Sequence, residues 1–273
     1  MRKELQKYFR VNRLPHIWCP GCGHGIVMGA LVRALEKLQI DQKDTAIISG
    51  IGCSSRASGY LNFDTLHTAH GRALTFATGL KVAKPSTNVI VLSGDGDATA
   101  IGGNHFIHAA RRNLDITLII FNNNIYGMTG GQYSPLTPTD GKATTSPYGN
   151  LERPFDTVEL AKGAGATYIA RGTVYHVLQL IELLSKAIQH KGFSVVEVVT
   201  QCPTSYGRRN KMGSPSNMML WQKEHAVNVK AAAKMTPEEL EGKFIIGEIY
   251  KTQAPEYTEQ YAKLVQRLKE GGH

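Results

Sequence analysis

No apolar run in this sequence approaches the roughly 18 residues a membrane-spanning helix needs; strand-like stretches such as Ile116 to Phe121 are short. The opening segment, Met1 to Arg10, is charged and carries no apolar signal core, so the cytoplasm is the expected compartment. Acidic residues are in the minority, 22 against 31 lysines and arginines, giving a net charge of +9. A basic surface suits acidic partners, either nucleic acid or an acidic protein. No nucleic-acid-binding fold signature accompanies the charge, so no nucleic-acid partner is expected. Two nucleotide-binding fingerprints are also missing: no Gly-x-Gly-x-x-Gly is complete, and Gly141-Lys142 is followed by Ala143. There is no internal repeat or low-complexity tract. Cysteine is scarce, with four in the chain.

What is present is a globular composition, 42% hydrophobic and 19% charged over 273 residues, with ample material for a core. That length is about twice a typical domain, or one large α/β domain with an extension. Val27, Leu31, Ala34 and Leu38 recur at helical spacing and lead into a strand at Thr45 to Ile48. Helical stretches near Gly71 to Lys84, Asn104 to Arg112 and Asp156 to Lys162 alternate with strands at Asn88 to Leu92, Ile116 to Phe121 and Tyr168 to Ala170. Thr173 reads as the N-cap of a longer helix ending near Gly192, followed by a strand at Ser194 to Thr200. Strands regularly separated by helices predict a doubly wound, mostly parallel α/β sheet. Residues 1–202 form the expected domain. Residues 203–273, more polar and ending in a helix across Glu256 to Leu268, form an expected extension that packs on the domain or on a partner. The proline- and threonine-rich stretch from Asn122 to Pro154 is too long for an ordinary connection and is a candidate lid.

The four cysteines are Cys19, Cys22, Cys53 and Cys202. Cys19 and Cys22 lie in Cys-Pro-Gly-Cys-Gly-His, where short spacing lets two thiolates reach one metal centre and glycine eases the turn. Cys53 follows the Thr45 to Ile48 strand and Cys202 the Ser194 to Thr200 strand, so both belong at the carboxyl edge of the sheet. Four thiolates converging there suit zinc or an iron–sulfur cluster, and ligand type alone does not choose.

Ser93-Gly94-Asp95-Gly96-Asp97 follows one strand, and Asn122-Asn123-Asn124 follows the next. One crossover helix separates them, so the two strand ends open on one edge and Asp95 and Asn123 are expected to be neighbours. Each alone reads as a tight turn. Together, a carboxylate, an amide oxygen and a nearby backbone carbonyl are hard ligands suited to a magnesium ion that is also held by phosphate. The flanking glycines and the helix start near Asn104 favour an anion.

The spacing of Gly94-Asp95-Gly96 and Asn122-Asn123 resembles the thiamine-diphosphate-binding signature. Trp18-Cys19-Pro20-Gly21-Cys22-Gly23-His24-Gly25, Gly50-Ile51-Gly52-Cys53-Ser54-Ser55-Arg56, His70-Gly71-Arg72-Ala73 and the run from Asn123 to Gln132 resemble the beta subunit of 2-oxoacid:ferredoxin oxidoreductases. The similarity covers about Trp18 to Gly213. It implies oxidative decarboxylation of a 2-oxoacid with coenzyme A to acyl-coenzyme A and carbon dioxide, the electrons leaving singly to ferredoxin. It implies that Cys19, Cys22, Cys53 and Cys202 hold a [4Fe-4S] cluster, and that Asp95, Asn123 and the Ile125 carbonyl hold magnesium (Mg2+). Gly94, Gly96, Asp97, Gly127, Met128 and Thr129 then surround the diphosphate, with Gly52, Cys53, Ser54 and His70 near the reactive half of the cofactor. His70 and Arg72 are the candidate catalytic residues.

The resemblance also implies an obligate alpha subunit. In this family the glutamate that activates the aminopyrimidine comes from another polypeptide, and no second nucleotide-like half is visible here. Gly130-Gly131 stand where some broad-specificity relatives carry a lysine, which argues against assignment to them; 2-oxoglutarate is the favoured substrate, with pyruvate second.

Overall fold

Short apolar runs and amphipathic stretches alternate as strands and helices along residues 3–271, which the computed structural model describes. The strands are β1 (Thr45–Ser49), β2 (Asp64–His67), β3 (Asn88–Gly94), β4 (Ile116–Asn122), β5 (Tyr168–Thr173), β6 (Ser194–Val199), β7 (Ala226–Asn228) and β8 (Phe244–Lys251). They form one sheet in the order β2-β1-β3-β4-β6-β5-β8-β7, parallel throughout except where β8 runs against β5. The expected doubly wound, mostly parallel α/β architecture is the one found.

Successive strand residues point to opposite faces, and the core divides accordingly. Ile90, Leu92, Ile119 and Phe121 pack in the layer that includes the helices His24–Lys37 and Val177–Gln189. Val89, Val91, Leu118 and Ile120 pack opposite, with Ala73–Ala83, Gly103–Arg111 and Thr157–Ala164. Both faces are covered, so the central strands are apolar without alternation and buried along their length. The chain changes its winding direction between β1 and β3. In such sheets a ligand crevice opens outside the carboxyl ends of the strands at this switch point.

Three local expectations differ from the structure. Thr173 does not cap a helix; it ends β5, and its hydroxyl accepts the His176 N–H at 3.1 Å, bending the chain into the helix Val177–Gln189. The edge strand β2 has a largely exposed Asp-Thr-Leu-His pattern that carries no apolar signal. After Cys202 the chain adds two strands, β8 against β5 and β7 beside β8, to the same sheet. The final helix, Tyr257–Lys269, starts where Glu256 caps Glu259 N and accepts the Asp115 N–H at 3.1 Å. Its outer face leaves Tyr261, Leu264 and Leu268 exposed.

Candidate thiamine and iron–sulfur site

A pocket opens at the carboxyl ends of β1, β3 and β4. Its lining includes Gly52, Cys53, Ser54, His70, Gly94, Asp95, Gly96, Asp97, Asn123, Ile125, Gly127, Met128 and Thr129, residues expected there from the sequence. It also includes four that were not: His24, Ile51, Phe121 and Tyr126. Arg72 is not among them. Its guanidinium donates through Nη1 to the carbonyls of His70 and Ile101, both at 3.3 Å.

Gly94 of β3 pairs with Phe121 of β4, which brings Asp95 and Asn123 side by side beyond the strand ends. Both are buried. The Asp95 carboxylate accepts the Ser134 hydroxyl and has no ion-pair partner among the described residues. Burial pushes its carboxyl up to about 7. A buried carboxylate without a cationic neighbour, beside an amide oxygen and the Ile125 backbone, is a donor set that fits a hard divalent cation.

Asp97 is used differently. Its carboxylate accepts from His70 Nδ1 at 2.6 Å, Gly71 N at 2.7 Å, Ile51 N at 3.2 Å and the Ser93 hydroxyl. It lines the pocket but ties together the ends of β1 and β3 and the turn before the helix Ala73–Ala83. Gly50 is required beneath it, since a Cβ there would lie 2.1 Å from the Asp97 carboxylate. Gly96 is required for a second close approach: a Cβ would fall 2.1 Å from the Tyr126 ring, which leans into the pocket with its edge toward His70 at 5.9 Å. Burial pushes the Tyr126 hydroxyl up to about 12.

The cysteines lie at the same edge. Cys53 belongs to the pocket wall, and Cys53 Sγ and Cys202 Sγ lie 3.4 and 3.7 Å from the point a Gly127 Cβ would occupy. The segments bearing the cysteines are tied directly: Trp18 Nε1 donates to the Cys53 carbonyl at 2.6 Å, Gln201 Nε2 to the Gly21 carbonyl at 3.0 Å, and Gly23 N to the Gln201 carbonyl at 3.3 Å. Burial is the largest cause pushing Cys22 up to about 12 and Cys53 up to about 11, and the neighbouring thiols push the same way. Four free thiols in mutual electrostatic reach at one edge of the sheet fit a cluster that binds thiolates. Among the described residues no three His, Cys, Asp or Glu side chains gather tightly enough to enclose a single ion.

His24, expected to be structural, is fully buried between Phe121 and Trp18, and burial pushes its imidazole down to about 3. Its Nδ1 has no hydrogen-bond partner among the described residues. Its place next to Cys22-Gly23 was the signal for it in the sequence. Tyr126 and Ser134 gave none, because their roles depend on how the Asn122 to Pro154 stretch folds. That stretch lies over the pocket without regular helix, pinned by Ser134 to Asp95 and by Thr137 Oγ1 to the Asn124 carbonyl at 2.6 Å.

This combination of sheet edge, cation-type ligands and glycine turns is that of a thiamine-binding domain, and residues 50–198 match the family "Thiamine pyrophosphate enzyme, C-terminal TPP binding domain". Over 263 residues the chain is 53% identical to "2-oxoglutarate synthase subunit KorB" of Methanocaldococcus jannaschii, covering 96% of this chain and 97% of that protein. It is 44% identical over 187 residues to "2-oxoacid:ferredoxin oxidoreductase 2, subunit beta" of Aeropyrum pernix, covering 68% and 60%. A solved 2-oxoglutarate:ferredoxin oxidoreductase from Magnetococcus marinus, with 2-oxoglutarate, coenzyme A and succinyl-CoA bound, aligns at TM-score 0.86 and 36% identity over 98% of this chain and 91% of that one. The chain belongs to the beta-subunit family of the 2-oxoacid:ferredoxin oxidoreductases. Among the described residues no helix is long and apolar enough to cross a membrane.

Proposed function

We propose that this chain is the thiamine-diphosphate- and [4Fe-4S]-carrying beta subunit of a cytoplasmic enzyme that oxidatively decarboxylates 2-oxoglutarate with coenzyme A. The alternative is the same reaction on pyruvate or another 2-oxoacid. The acyl-coenzyme A and carbon dioxide are released and electrons pass singly to ferredoxin. The observation that carries this reading is Cys53, which belongs at once to the thiamine pocket wall and to the cysteine set. Bound thiamine diphosphate supplies a carbanion carrier and the cluster a one-electron acceptor.

The chain's own residues divide the work. Asp95, Asn123 and the Ile125 carbonyl hold magnesium. Gly94, Gly96, Gly127, Met128 and Thr129 allow close approach to the diphosphate, and Asp97 fixes the His70 ring in its wall. Gly52, Cys53, Ser54 and His70 border the reactive half, and Cys19, Cys22, Cys53 and Cys202 ligate the cluster. Arg72, which donates to the His70 carbonyl, positions the His70 backbone. An alpha subunit completes the site with the activating carboxylate, and the chain alone is inactive. Residues 203–273 offer that partner the exposed face of the last helix.

The test is anaerobic viologen reduction by the copurified complex with coenzyme A, comparing 2-oxoglutarate, pyruvate and a branched 2-oxoacid, with iron and acid-labile sulfide assayed alongside. The expected result is fastest reduction with 2-oxoglutarate and about four irons per beta chain bound by the four cysteines. Zinc without sulfide and no reduction with any acid would overturn the reading in favour of a non-redox subunit.

A further inference from the structure

The face of the sheet under the helix Thr157–Ala164 is apolar except at one place, where Asn122, Arg171 and Glu197 stand on adjacent strands β4, β5 and β6. Glu197 is buried and fully engaged. One oxygen accepts Asn122 Nδ2 at 2.6 Å, and the other accepts Arg171 Nε at 2.7 Å and the Thr157 hydroxyl. Arg171 Nη2 in turn reaches the Asp156 carboxylate, the N-cap of that helix, at 2.6 Å. A buried ion pair on an apolar face is poor value as a source of stability, because desolvation offsets most of its attraction. Its use lies in position.

That position is passed to the cation site through one side chain. Asn122 is oriented by Glu197 through its amide nitrogen, and its Oδ1 accepts the Asn124 N–H at 3.1 Å. Asn124 sits in the left-handed region at φ 61°, a conformation that costs a non-glycine residue energy and needs outside support. The turn so held presents Asn123 on one side of Asn124 and Ile125 on the other, both buried in the pocket wall. We propose that Glu197, held by Arg171, is a positioning residue that acts through Asn122 to fix the Asn123–Ile125 turn as a magnesium-binding loop. The inference rests on the thiamine–magnesium reading above and adds to it the part of the fold that sets the cation affinity.

The experiment measures thiamine diphosphate uptake by the purified complex as a function of magnesium concentration, with iron and sulfide content assayed on the same samples. Asn122→Ala cuts the link yet leaves the Arg171–Glu197 pair intact. It is expected to raise the magnesium concentration needed for half-maximal uptake by about 10- to 100-fold, the usual effect of losing an outer-shell partner. Turnover should recover at saturating magnesium, and cluster content should not change. Glu197→Gln, which still presents an oxygen to Asn122, should give a much smaller shift. A wild-type magnesium profile in Asn122→Ala would overturn the proposal, and so would loss of iron in parallel with thiamine, which marks general damage to the sheet edge. Wild-type complex that takes up no thiamine diphosphate at any magnesium concentration would instead overturn the cofactor reading, and the positioning role with it.

Discussion

His70 Nδ1 meets the buried carboxylate of Asp97 at 2.6 Å, and the same carboxylate oxygen accepts the N–H of the next residue, Gly71. One side chain thus sets both the ring and the backbone of the pocket wall. Removing it leaves the N–H groups of Ile51 and Gly71 without their acceptor. Asp97→Ala is expected to cost roughly 2–5 kcal/mol of stability, from the loss of a buried acceptor with several donors. Denaturant unfolding checks it, and a loss under about 1 kcal/mol would show that Asp97 is dispensable to the wall.

Gly96→Ala drives a methyl group into the Tyr126 ring, whereas Gly103→Ala, a few residues on, meets nothing within 4 Å. The first substitution should displace Tyr126 and weaken thiamine diphosphate binding by tenfold or more, about 1.4 kcal/mol. The second should leave it unaltered. Equal affinities in the two variants, measured by titration of the complex, would remove Tyr126 from the binding wall.

Thiolates, not thiols, are alkylated. In metal-free chain at neutral pH, Cys22 and Cys53 are held protonated by burial, with values pushed up to about 12 and 11, while Cys19 is exposed. Iodoacetamide is therefore expected to modify Cys19 first, and the rates at Cys22 and Cys53 should climb as the pH rises toward those values. Peptide mass mapping of a time course reads the order; modification of Cys22 as fast as Cys19 contradicts it.

Burial holds His176 and His190 below the ordinary 6.5, so both favour the neutral form in the folded chain. Their contribution to stability is complete above pH 6.5 and is lost as the pH falls below it, because the unfolded chain then binds protons that the folded one does not. The thermal midpoint should fall as the pH drops below 6.5, and His190→Gln should flatten that slope. Identical slopes in variant and parent count against it.

The sequence carries the alternation of strand and helix plainly, since a central strand buried on both faces is an apolar run wherever it occurs, as Asn88 to Leu92 and Ile116 to Phe121 show. It also placed Asp95 and Asn123 together at one edge of the sheet, through β-α-β handedness. It did not reveal β2, whose side chains are mostly exposed, or β8, which reaches β5 only after a long excursion through less regular chain.

What each polar group touches emerges in three dimensions alone. Asp97 is spent on four donors, and Arg72 on the carbonyls of His70 and Ile101. Ser134 reaches Asp95, Tyr126 fills the space over Gly96, and Glu197 finds Asn122 across two strands. The physical reason is range. Periodicity records local burial, and the strand ends follow from it. A buried hydrogen bond instead pairs groups far apart in the chain, and its partner is chosen only when the sheet and its loops close around it.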